Sequence, residues 1–440
     1  MNDDWSGRQL HFVGIGGAGM SGLALVARAL GARVTGSDRA ESPYLQRLRE
    51  HGIVPVIGHA AANVPDGAEV VYSTAVPADN PERLAAGREL HRADLLGEIT
   101  RLRRCVAITG THGKTTTAGM VVHALRGCGL DPSYVVGGEL GDTGTNAGWG
   151  TGDWVVVEAD ESDRSLLKLD ADIAVLTNAE LDHHTTYGSR LDLEATLAEF
   201  MHKAGQAVVW DRPGLRALCP PGAVTYDAPA PVLDPHGARF LWRGRETVVG
   251  VPGAHNAINA AGALEACVLA GADPAGAAAA MADFRSARRR FERVGETSGG
   301  AAVYDDYAHH PTEVAAMVAV ARTLEPDRVV AVFQPHLYSR TRALARDFGA
   351  ALAPADVVAV VDIYPARERG EDFPGVSGRL VAAAAADAGN GAQVAWLPDF
   401  AEAEQFLRSI LRTGDLCLTM GAGNVDGATT RTFTKSCHGQ

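Results

Sequence analysis

Short apolar runs alternate with helix-length stretches along most of the chain. The first run, Gln9 to Ile15, is followed by a helical stretch from Met20 to Leu30 and a second run from Arg33 to Gly36. Similar runs recur at 70–77, 106–109, 154–157, 173–178, 207–210, 301–304, 329–333, 357–363, 394–397 and 416–419. Strands that alternate with helices predict parallel sheets. We therefore expect an α/β protein.

A glycine-rich turn follows the first strand. Its G-x-G-x-x-G pattern consists of Gly14, Gly16, Gly17, Ala18 and Gly19. Such a loop binds a diphosphate at a helix start, and an acid after the second strand, here Asp38, can bind a ribose. Taken alone, the pattern suggests a dinucleotide cofactor, although the loop would serve any ligand with a diphosphate. Ser73 is expected beside it, because ends of parallel strands share one edge.

A second phosphate-binding pattern follows the strand at 106–109. It comprises Gly110, Thr111, His112, Gly113, Lys114, Thr115 and Thr116, and we expect a helix from Ala118 to Leu125. Lys114 can reach the outer phosphates of a nucleotide, and the Thr115 hydroxyl can hold Mg²⁺. The pattern departs from the usual P-loop, because Ile108 stands where glycine is expected. A surface turn with a solvated lysine is the alternative, and a nucleoside triphosphate site is the better interpretation.

Polar residues end the next two strands. Glu158 follows 154–157, and His183 lies beyond 173–178, so both are expected at the edge that carries the P-loop. Carboxylate oxygens suit Mg²⁺, although either residue could instead belong to an ordinary polar loop. Asn256 and Asn259 lie on one face of a helix start, where they could hold a base or a metal-bound water, or simply cap the helix.

The last third of the chain adds a basic cluster and three further polar strand ends. The cluster is Arg288 to Arg290, and one of its arginines could reach a transferring phosphoryl group. The polar strand ends contain Asp305, Asp306, Tyr307, His309, His310, His336, Arg340 and Tyr364. Because the ends of parallel strands meet at one edge, these residues predict a substrate pocket.

Bulk properties narrow the class of protein. A length of 440 residues exceeds one ordinary core and predicts two or three domains. The formal net charge of -13 argues against nucleic acid as a partner. Six scattered cysteines without a Cys-x-x-Cys pair fit a reducing compartment. With neither an apolar leader nor a membrane-length apolar run, we expect a cytoplasmic protein without a membrane partner.

With these motifs in view, the chain resembles the Mur ligases over nearly its whole length. The stretches that carry the resemblance are Gly14–Met20, Gly110–Thr115, Glu158–Asp163, His255–Asn259, Asp305–Pro311 and Asp362–Ala366. The family implies three domains, which we place at 1–97, 98–286 and 287–440. They would be a Rossmann-like domain that binds a UDP-sugar, a central P-loop ATPase with a parallel-rich sheet, and a mobile Rossmann-like C-terminal domain.

The resemblance also implies an activity, ATP-dependent amide formation with UDP-N-acetylmuramate and L-alanine as substrates. It implies that the glycine loop holds the UDP diphosphate, that Glu158 and His183 bind Mg²⁺, and that Asn256 and Asn259 help to hold ATP. Arg290 and Asp306 would lie at the ATP site between domains. Tyr307 and His309 would face the sugar substrate and the amino acid, with His336, Arg340 and Tyr364 in the same pocket.

Some alternatives stay open. A tripeptide-recycling ligase is the alternative inside the family, and an NAD(P)-dependent oxidoreductase or a non-catalytic nucleotide-binding regulator is the alternative outside it. We expect a monomer or a weak dimer. Many Mur ligases use a carbamoylated lysine; Lys203, the lysine nearest to the expected place, does not match its position, so we predict that none is used.

Overall fold

The computed structural model describes residues 5–183, 186–389 and 391–425, and the backbone of 434–436. His184, in the predicted metal-binding turn, lies outside these residues. The chain divides into two compact units. The first comprises the chain up to Pro231 with Arg239–Gly250 and Asn256–Ala287; the second comprises Val232–Ala238, Val251–His255 and the chain from Arg288 onward. No helix in the described part is long and apolar enough to cross a bilayer.

The first unit begins with a five-stranded parallel sheet in the order β3-β2-β1-β4-β5. Its strands and helices are β1 Gln9–Val13, α1 Ala18–Ala29, β2 Arg33–Asp38, α2 Pro43–Glu50, β3 Val56–Ile57, β4 Glu69–Tyr72, α3 Pro81–Leu84, β5 Arg88–His91 and α4 Arg92–Thr100. The strand order reverses between β1 and β4. The loops after these two strands therefore meet, which is where open α/β sheets bind ligands.

Local sequence explains this first sheet. Leu10 and Phe12 of β1 are fully buried, as expected for a central parallel strand covered by helices on both faces. Gly36 of β2 lies opposite Phe12, and a methyl group added there would come within 2.6 Å of the Phe12 carbonyl oxygen. Ser42 caps α2 by accepting a hydrogen bond from the Leu45 amide, which satisfies a free donor of the first turn.

A seven-stranded sheet with the order β12-β11-β10-β6-β9-β7-β8 completes the core of the first unit. It is parallel except for the β7–β8 pair. Its elements are β6 Arg104–Thr109, α5 Lys114–Gly127, β7 Ser133–Val135, β8 Ala147–Gly148, β9 Trp154–Glu158, β10 Ile173–Leu176, α6 Arg190–Lys203, β11 Gln206–Trp210, α7 Pro213–Arg216 and β12 Val224–Tyr226. The P-loop strand β6 lies between β10 and β9, so the predicted strand ends do share one edge.

The helix after the P-loop begins earlier than predicted, at Lys114 instead of Ala118. Gly113 has a φ of +80°, a left-handed conformation that glycine adopts without strain. This turn sends the chain directly into α5, so that the side chains of Thr115, Thr116 and Thr117 are buried at its start.

Residues 232–249 form three short strands. These strands and the following helices are β13 Val232–Asp234, β14 Gly237–Trp242, β15 Arg245–Val249, α8 Ala254–Leu269 and α9 Pro274–Ala280. The three strands form a small sheet. Helix α8 carries the predicted pair of asparagines at its start.

The second unit contains a seven-stranded sheet with the order β20-β19-β18-β21-β17-β16-β22. Its elements are β16 Glu292–Thr297, β17 Ala302–Asp306, α10 Pro311–Thr323, β18 Arg328–Phe333, α11 Tyr338–Leu352, β19 Val357–Val360, α12 Arg379–Asp387, β20 Gln393–Trp396, α13 Phe400–Ile410, β21 Asp415–Met420 and β22 Thr434–Ser436. The strands from β20 to β17 are parallel, as predicted. Strand β16, which lies between β17 and β22, is antiparallel to both and was not predicted.

Candidate active site

The P-loop is shaped by two glycines with positive φ. Gly110 has a φ of +120°, and a methyl group added there would lie 2.7 Å from the Asn178 carbonyl oxygen. A methyl group on Gly113 would lie 2.8 Å from Oδ1 of Asn259. Both positions therefore need glycine for backbone conformation and for space. Asn259 lies against the P-loop, with Asn256 one turn earlier on α8.

Two residues that sequence reasoning did not assign hold the loop in place. The Asn178 side chain accepts a hydrogen bond from the His112 amide and donates one to the His112 carbonyl, both 2.9 Å long. The Thr177 hydroxyl donates to the same carbonyl at 2.7 Å. Thr111 is fixed in turn, because its hydroxyl donates to the Glu180 carbonyl at 2.8 Å. The end of β10 thus acts as a template for the P-loop.

Lys114 is held over the loop by a carboxylate. Its ammonium donates to Oε2 of Glu161 at 2.8 Å, and to the carbonyls of Gly110 and Thr111 at 2.5 and 3.1 Å. Burial alone would lower the pKa of this ammonium, but the carboxylates of Glu161 and Asp160 raise it above its ordinary value. Lys114 is therefore a charged donor placed where a nucleotide's outer phosphates would arrive. Glu161, which is only 1% exposed, belongs to this site. It lies within the Glu158–Asp163 stretch, but nothing in the local sequence indicated its contact with Lys114.

The predicted metal ligands lie around the same strand ends. The Gly137 amide donates to Oε1 of Glu158, and the adjacent Gly138 lies against the Thr115 methyl group. The His183 ring places Nε2 3.4 Å from Oε1 of Glu161. A hydroxyl, carboxylates and an imidazole beside a phosphate-binding loop fit Mg²⁺, which takes its remaining ligands from phosphates and water.

In the glycine loop after β1, the Asp38 carboxylate accepts hydrogen bonds from backbone amides. The Gly16 amide donates to Oδ2 of Asp38 at 2.8 Å, and the Arg39 amide donates to Oδ1 at 2.7 Å. Asp38 thus shapes the loop itself. The Gly17 amide is bonded to the Gly14 carbonyl at 3.2 Å.

The first amides of helix α1, from Ala18 and Gly19, remain as the donors for an anion, because a helix start offers them no intrahelical acceptor. The loop after β4, which contains Ser73, lies beside the glycine loop: a methyl group on Gly14 would be 3.8 Å from the Val76 side chain.

In the second unit, the polar strand ends come together as predicted. The His309 ring packs edge-on to Tyr307 and to His336, with ring centroids 5.5 and 6.0 Å apart. Tyr364 stacks on His336 at 5.8 Å, and Nη1 of Arg340 lies 3.0 Å from Nδ1 of His336. Arg340 is 2% exposed. A buried guanidinium beside aromatic rings can bind a carboxylate.

The three consecutive arginines have different environments. Arg289 is committed to structure, because it donates to Asp305 at 2.9 Å and to the carbonyls of Gly421 and Gly423 at 2.7 and 3.2 Å. Arg288 is exposed, with Glu292 3.7 Å away. The Arg290 guanidinium lies 5.5 Å from the centre of the Tyr307 ring. Since the Arg289 side chain is engaged in these structural hydrogen bonds, Arg290 is the better candidate for a phosphate-binding arginine.

Asp306 anchors the turn that carries Tyr307. Its two carboxylate oxygens accept hydrogen bonds from the Phe291 and Ala308 amides, each 2.7 Å long. Burial raises the pKa of this carboxyl to about 7, against the opposing influence of Arg290 and the two amides.

Lys203 lies at the end of α6, where it pairs with Asp170 at 2.8 Å.

Comparison with known proteins agrees with this arrangement. Three family models match the chain: "Mur ligase family, catalytic domain" at residues 9–104, "Mur ligase middle domain" at 108–267, and "Mur ligase, glutamate ligase domain" at 289–423. The UDP-N-acetylmuramate–L-alanine ligases of Rubrobacter xylanophilus and Streptomyces griseus are each 44% identical to it. The alignments cover 96% of this chain and 98% of the first relative, and 94% of both chains for the second.

A solved structure has the same fold. The UDP-N-acetylmuramate-alanine ligase of Thermotoga maritima superposes with a TM-score of 0.83 at 27% identity, over 96% of this chain and 97% of the other. The three family models together cover most of the chain, and the similarity to relatives runs through all three of its main sheets. The chain belongs to the Mur ligase family.

Proposed function

We propose that this protein joins L-alanine to the carboxylate of UDP-N-acetylmuramate, with conversion of ATP to ADP and phosphate. The observation that carries the proposal is the near full-length similarity to relatives named for this reaction. The structure supports it with a P-loop lysine and an acidic strand end on adjacent strands, and with a glycine loop on a neighbouring sheet. The P-loop lysine and the acidic strand end are suited to ATP, and the glycine loop is suited to the sugar nucleotide.

ATP would bind with its outer phosphates at Lys114 and at the first amides of α5, while Asn256 and Asn259 lie beside the loop. Thr115, Glu158 and His183 would hold Mg²⁺. When bound, the ion would neutralise charge between the phosphates and the attacking carboxylate. The residues around it have positioning as their main task, since phosphoryl transfer is catalysed largely by alignment and charge stabilisation.

The reaction would proceed in two steps. The muramoyl carboxylate oxygen attacks the γ-phosphorus of ATP, so that an acyl phosphate forms and ADP leaves. The deprotonated amine of L-alanine then attacks the acyl carbon, and inorganic phosphate leaves from the tetrahedral intermediate. In the second unit, Arg340 and His336 would bind the L-alanine carboxylate, with Tyr307, His309 and Tyr364 around them and Arg290 nearby as a phosphate-binding arginine.

The test is phosphate release from ATP with Mg²⁺ and UDP-N-acetylmuramate, measured with L-alanine, L-serine, glycine and a murein tripeptide. Release that requires both the sugar nucleotide and L-alanine is the expected result. Release with the tripeptide alone would instead assign the recycling reaction. A binding assay with NADH and NADPH addresses the oxidoreductase alternative.

Lys114→Ala is the informative variant, and Lys168→Ala is its control. Lys168 pairs with Asp94 at 2.7 Å and is half-exposed, away from the P-loop. K114A should lose at least about 100-fold in kcat, in line with the cost of removing one transition-state charge contact, while K168A should keep nearly normal activity. Normal product formation by K114A would contradict the proposal.

A further inference from the structure

Arg92 lies between the glycine loop and the acidic strand end of the P-loop sheet. It begins helix α4, and its Nη2 donates to Oδ2 of Asp160 at 2.9 Å and to Oδ2 of Asp163 at 3.0 Å. Both aspartates follow Glu158 at the end of β9. The carboxylates therefore fix the direction of the guanidinium, which is a planar group with donors on several edges.

The opposite edge of this guanidinium faces the helix start at the glycine loop. A methyl group added at Gly19 would lie 3.7 Å from Nη1 of Arg92, so the guanidinium is in contact distance of the first turn of α1. In the described part of the chain, the two carboxylates that accept hydrogen bonds from Arg92 both bond Nη2, whereas Nη1 is the atom that lies against the glycine loop. The amides of Ala18 and Gly19 point out of the same turn.

A second contact fixes this turn relative to the P-loop sheet. Asn146, which is fully buried, donates through Nδ2 to the Ala18 carbonyl at 2.5 Å and to the Ser21 hydroxyl at 3.1 Å. Gly22, one turn along, packs closely against Asn146 and Val135, since an added methyl group would lie 3.3 Å from each. The distance between Arg92 and the helix start is thus set by packing on both sides.

We propose that Arg92 is a phosphate-binding residue of the sugar-nucleotide site, which presents Nη1 to the diphosphate while Asp160 and Asp163 hold Nη2. The inference deepens the proposed function and depends on it. A helix start contributes only partial positive charge, whereas a diphosphate carries two or more negative charges. A guanidinium held by carboxylates is oriented before the ligand arrives, which lowers the entropy lost on binding.

The experiment is calorimetric titration of the full-length protein, without ATP, with two ligands. UDP-N-acetylmuramate carries the diphosphate, and UMP carries a single phosphate. For Arg92→Ala, the Kd for UDP-N-acetylmuramate should rise roughly 10- to 100-fold, as for loss of a charged hydrogen bond. The Kd for UMP should rise by no more than about threefold, because one of the two phosphates is missing.

Arg92→Lys and Arg101→Ala complete the set. R92K keeps the charge but loses the planar guanidinium that faces both the carboxylates and the diphosphate. Its affinity for UDP-N-acetylmuramate should be about five- to tenfold lower. It also covers the case in which R92A fails to fold. Arg101 is the matched control, because it ends the same helix α4 and bonds Asp170 at 2.9 Å across to the P-loop part of the unit. R101A should bind both ligands as the unaltered protein does.

Unchanged affinity of R92A and R92K for UDP-N-acetylmuramate would overturn the inference and leave the proposed function intact. Equal weakening of UDP-N-acetylmuramate and UMP, together with a lower melting temperature, would also overturn it, since that pattern indicates a structural role alone. Failure of the unaltered protein to bind UDP-N-acetylmuramate would instead overturn the proposed function.

Discussion

Glu82 offers the sharpest test of the energetics of the first unit. The side chain is fully buried at the start of α3. Its carboxylate accepts hydrogen bonds from the Ser37 hydroxyl, from Nδ2 of Asn63 at 2.6 Å and from the Ala60 amide at 3.2 Å. Nε2 of His11 lies 3.5 Å away. Glu82 therefore ties strand β2 and the segment after β3 to helix α3.

The substitution is Glu82→Gln, which keeps the shape of the side chain and removes its charge. Burial alone would raise the pKa of this carboxyl, but the neighbouring His11 and the hydrogen bonds from Ser37 and Asn63 outweigh it and lower the pKa to about 2, from an ordinary value of 4.5. That difference corresponds to about 3 kcal/mol of preference for the carboxylate in the folded state. E82Q should therefore lose about 3 kcal/mol of unfolding free energy at neutral pH.

The pH dependence follows from the direction of the pKa change. Because the folded-state pKa is lowered, the stabilisation is fully present above the unfolded-state pKa of 4.5 and is lost as the pH falls towards about 2. The difference between the original protein and E82Q should thus be constant from neutral pH down to roughly pH 5.5 and shrink below pH 4.5.

The assay is urea unfolding at several pH values, followed by a probe in the first unit, with thermal melts beside it. A loss of 3 kcal/mol corresponds to roughly 6–12 °C for a domain of 150–250 residues. Glu89→Gln is the control, because Glu89 is partly exposed and pairs with Arg83 at 2.6 Å on the same sheet; its cost should stay below about 1 kcal/mol. Equal stability of E82Q and the original protein at pH 7, or a difference that grows on acidification, would refute the reasoning.

Three further pairs of substitutions test the site. Glu161→Gln should lower kcat for phosphate release roughly 10- to 100-fold by loosening Lys114, whereas the exposed Glu199→Gln should not; unchanged kcat in E161Q would remove Glu161 from the site. Gly113→Ala should abolish measurable ADP binding in calorimetry. Gly129, which has a φ of +76° and no atom within 4 Å of an added methyl group, is the control, and Gly129→Ala should reduce only the stability. Normal ADP affinity of G113A would contradict the crowding against Asn259. Arg289→Ala should destabilise the second unit by about 3 kcal/mol in thermal melts, because buried Asp305 loses its partner. Arg290→Ala should instead reduce phosphate release and leave the melting temperature unchanged. The reverse pattern would exchange the roles of the two arginines.

Much of the fold could be predicted from the sequence, because buried parallel strands are written as short apolar runs. The strand ends that precede Lys114, Glu158, Tyr307 and His336 were identified in this way. The structure confirms that these residues lie at or just beyond the carboxyl ends of strands in the two large sheets. The antiparallel strand β16 was missed, since its residues are mostly polar and only partly buried. Its place in the sheet depends on pairing with β17, which is a long-range property.

Roles that arise from spatial neighbours were not accessible from the sequence. Asn178 supports the P-loop because β10 pairs with β6, and nothing in the local sequence distinguishes it from any asparagine after a strand. Asp38 was interpreted as a ribose ligand from its spacing alone, whereas in the fold both of its carboxylate oxygens bond backbone amides. Spacing along the chain limits which residues can meet, and the three-dimensional register decides which of their atoms are already engaged.

The packing of Gly22 has a practical consequence for dissecting the chain. Helix α1 has no side chain at this point and rests directly on Asn146, Val135 and Ala147 of the P-loop sheet. A truncated protein that ends after α4 would expose this face and the Ala18 carbonyl that Asn146 normally covers. Such a fragment should self-associate or bind nucleotide sugars poorly, so fragment screening and isotope labelling of the sugar-nucleotide site are better done on a protein that retains both sheets.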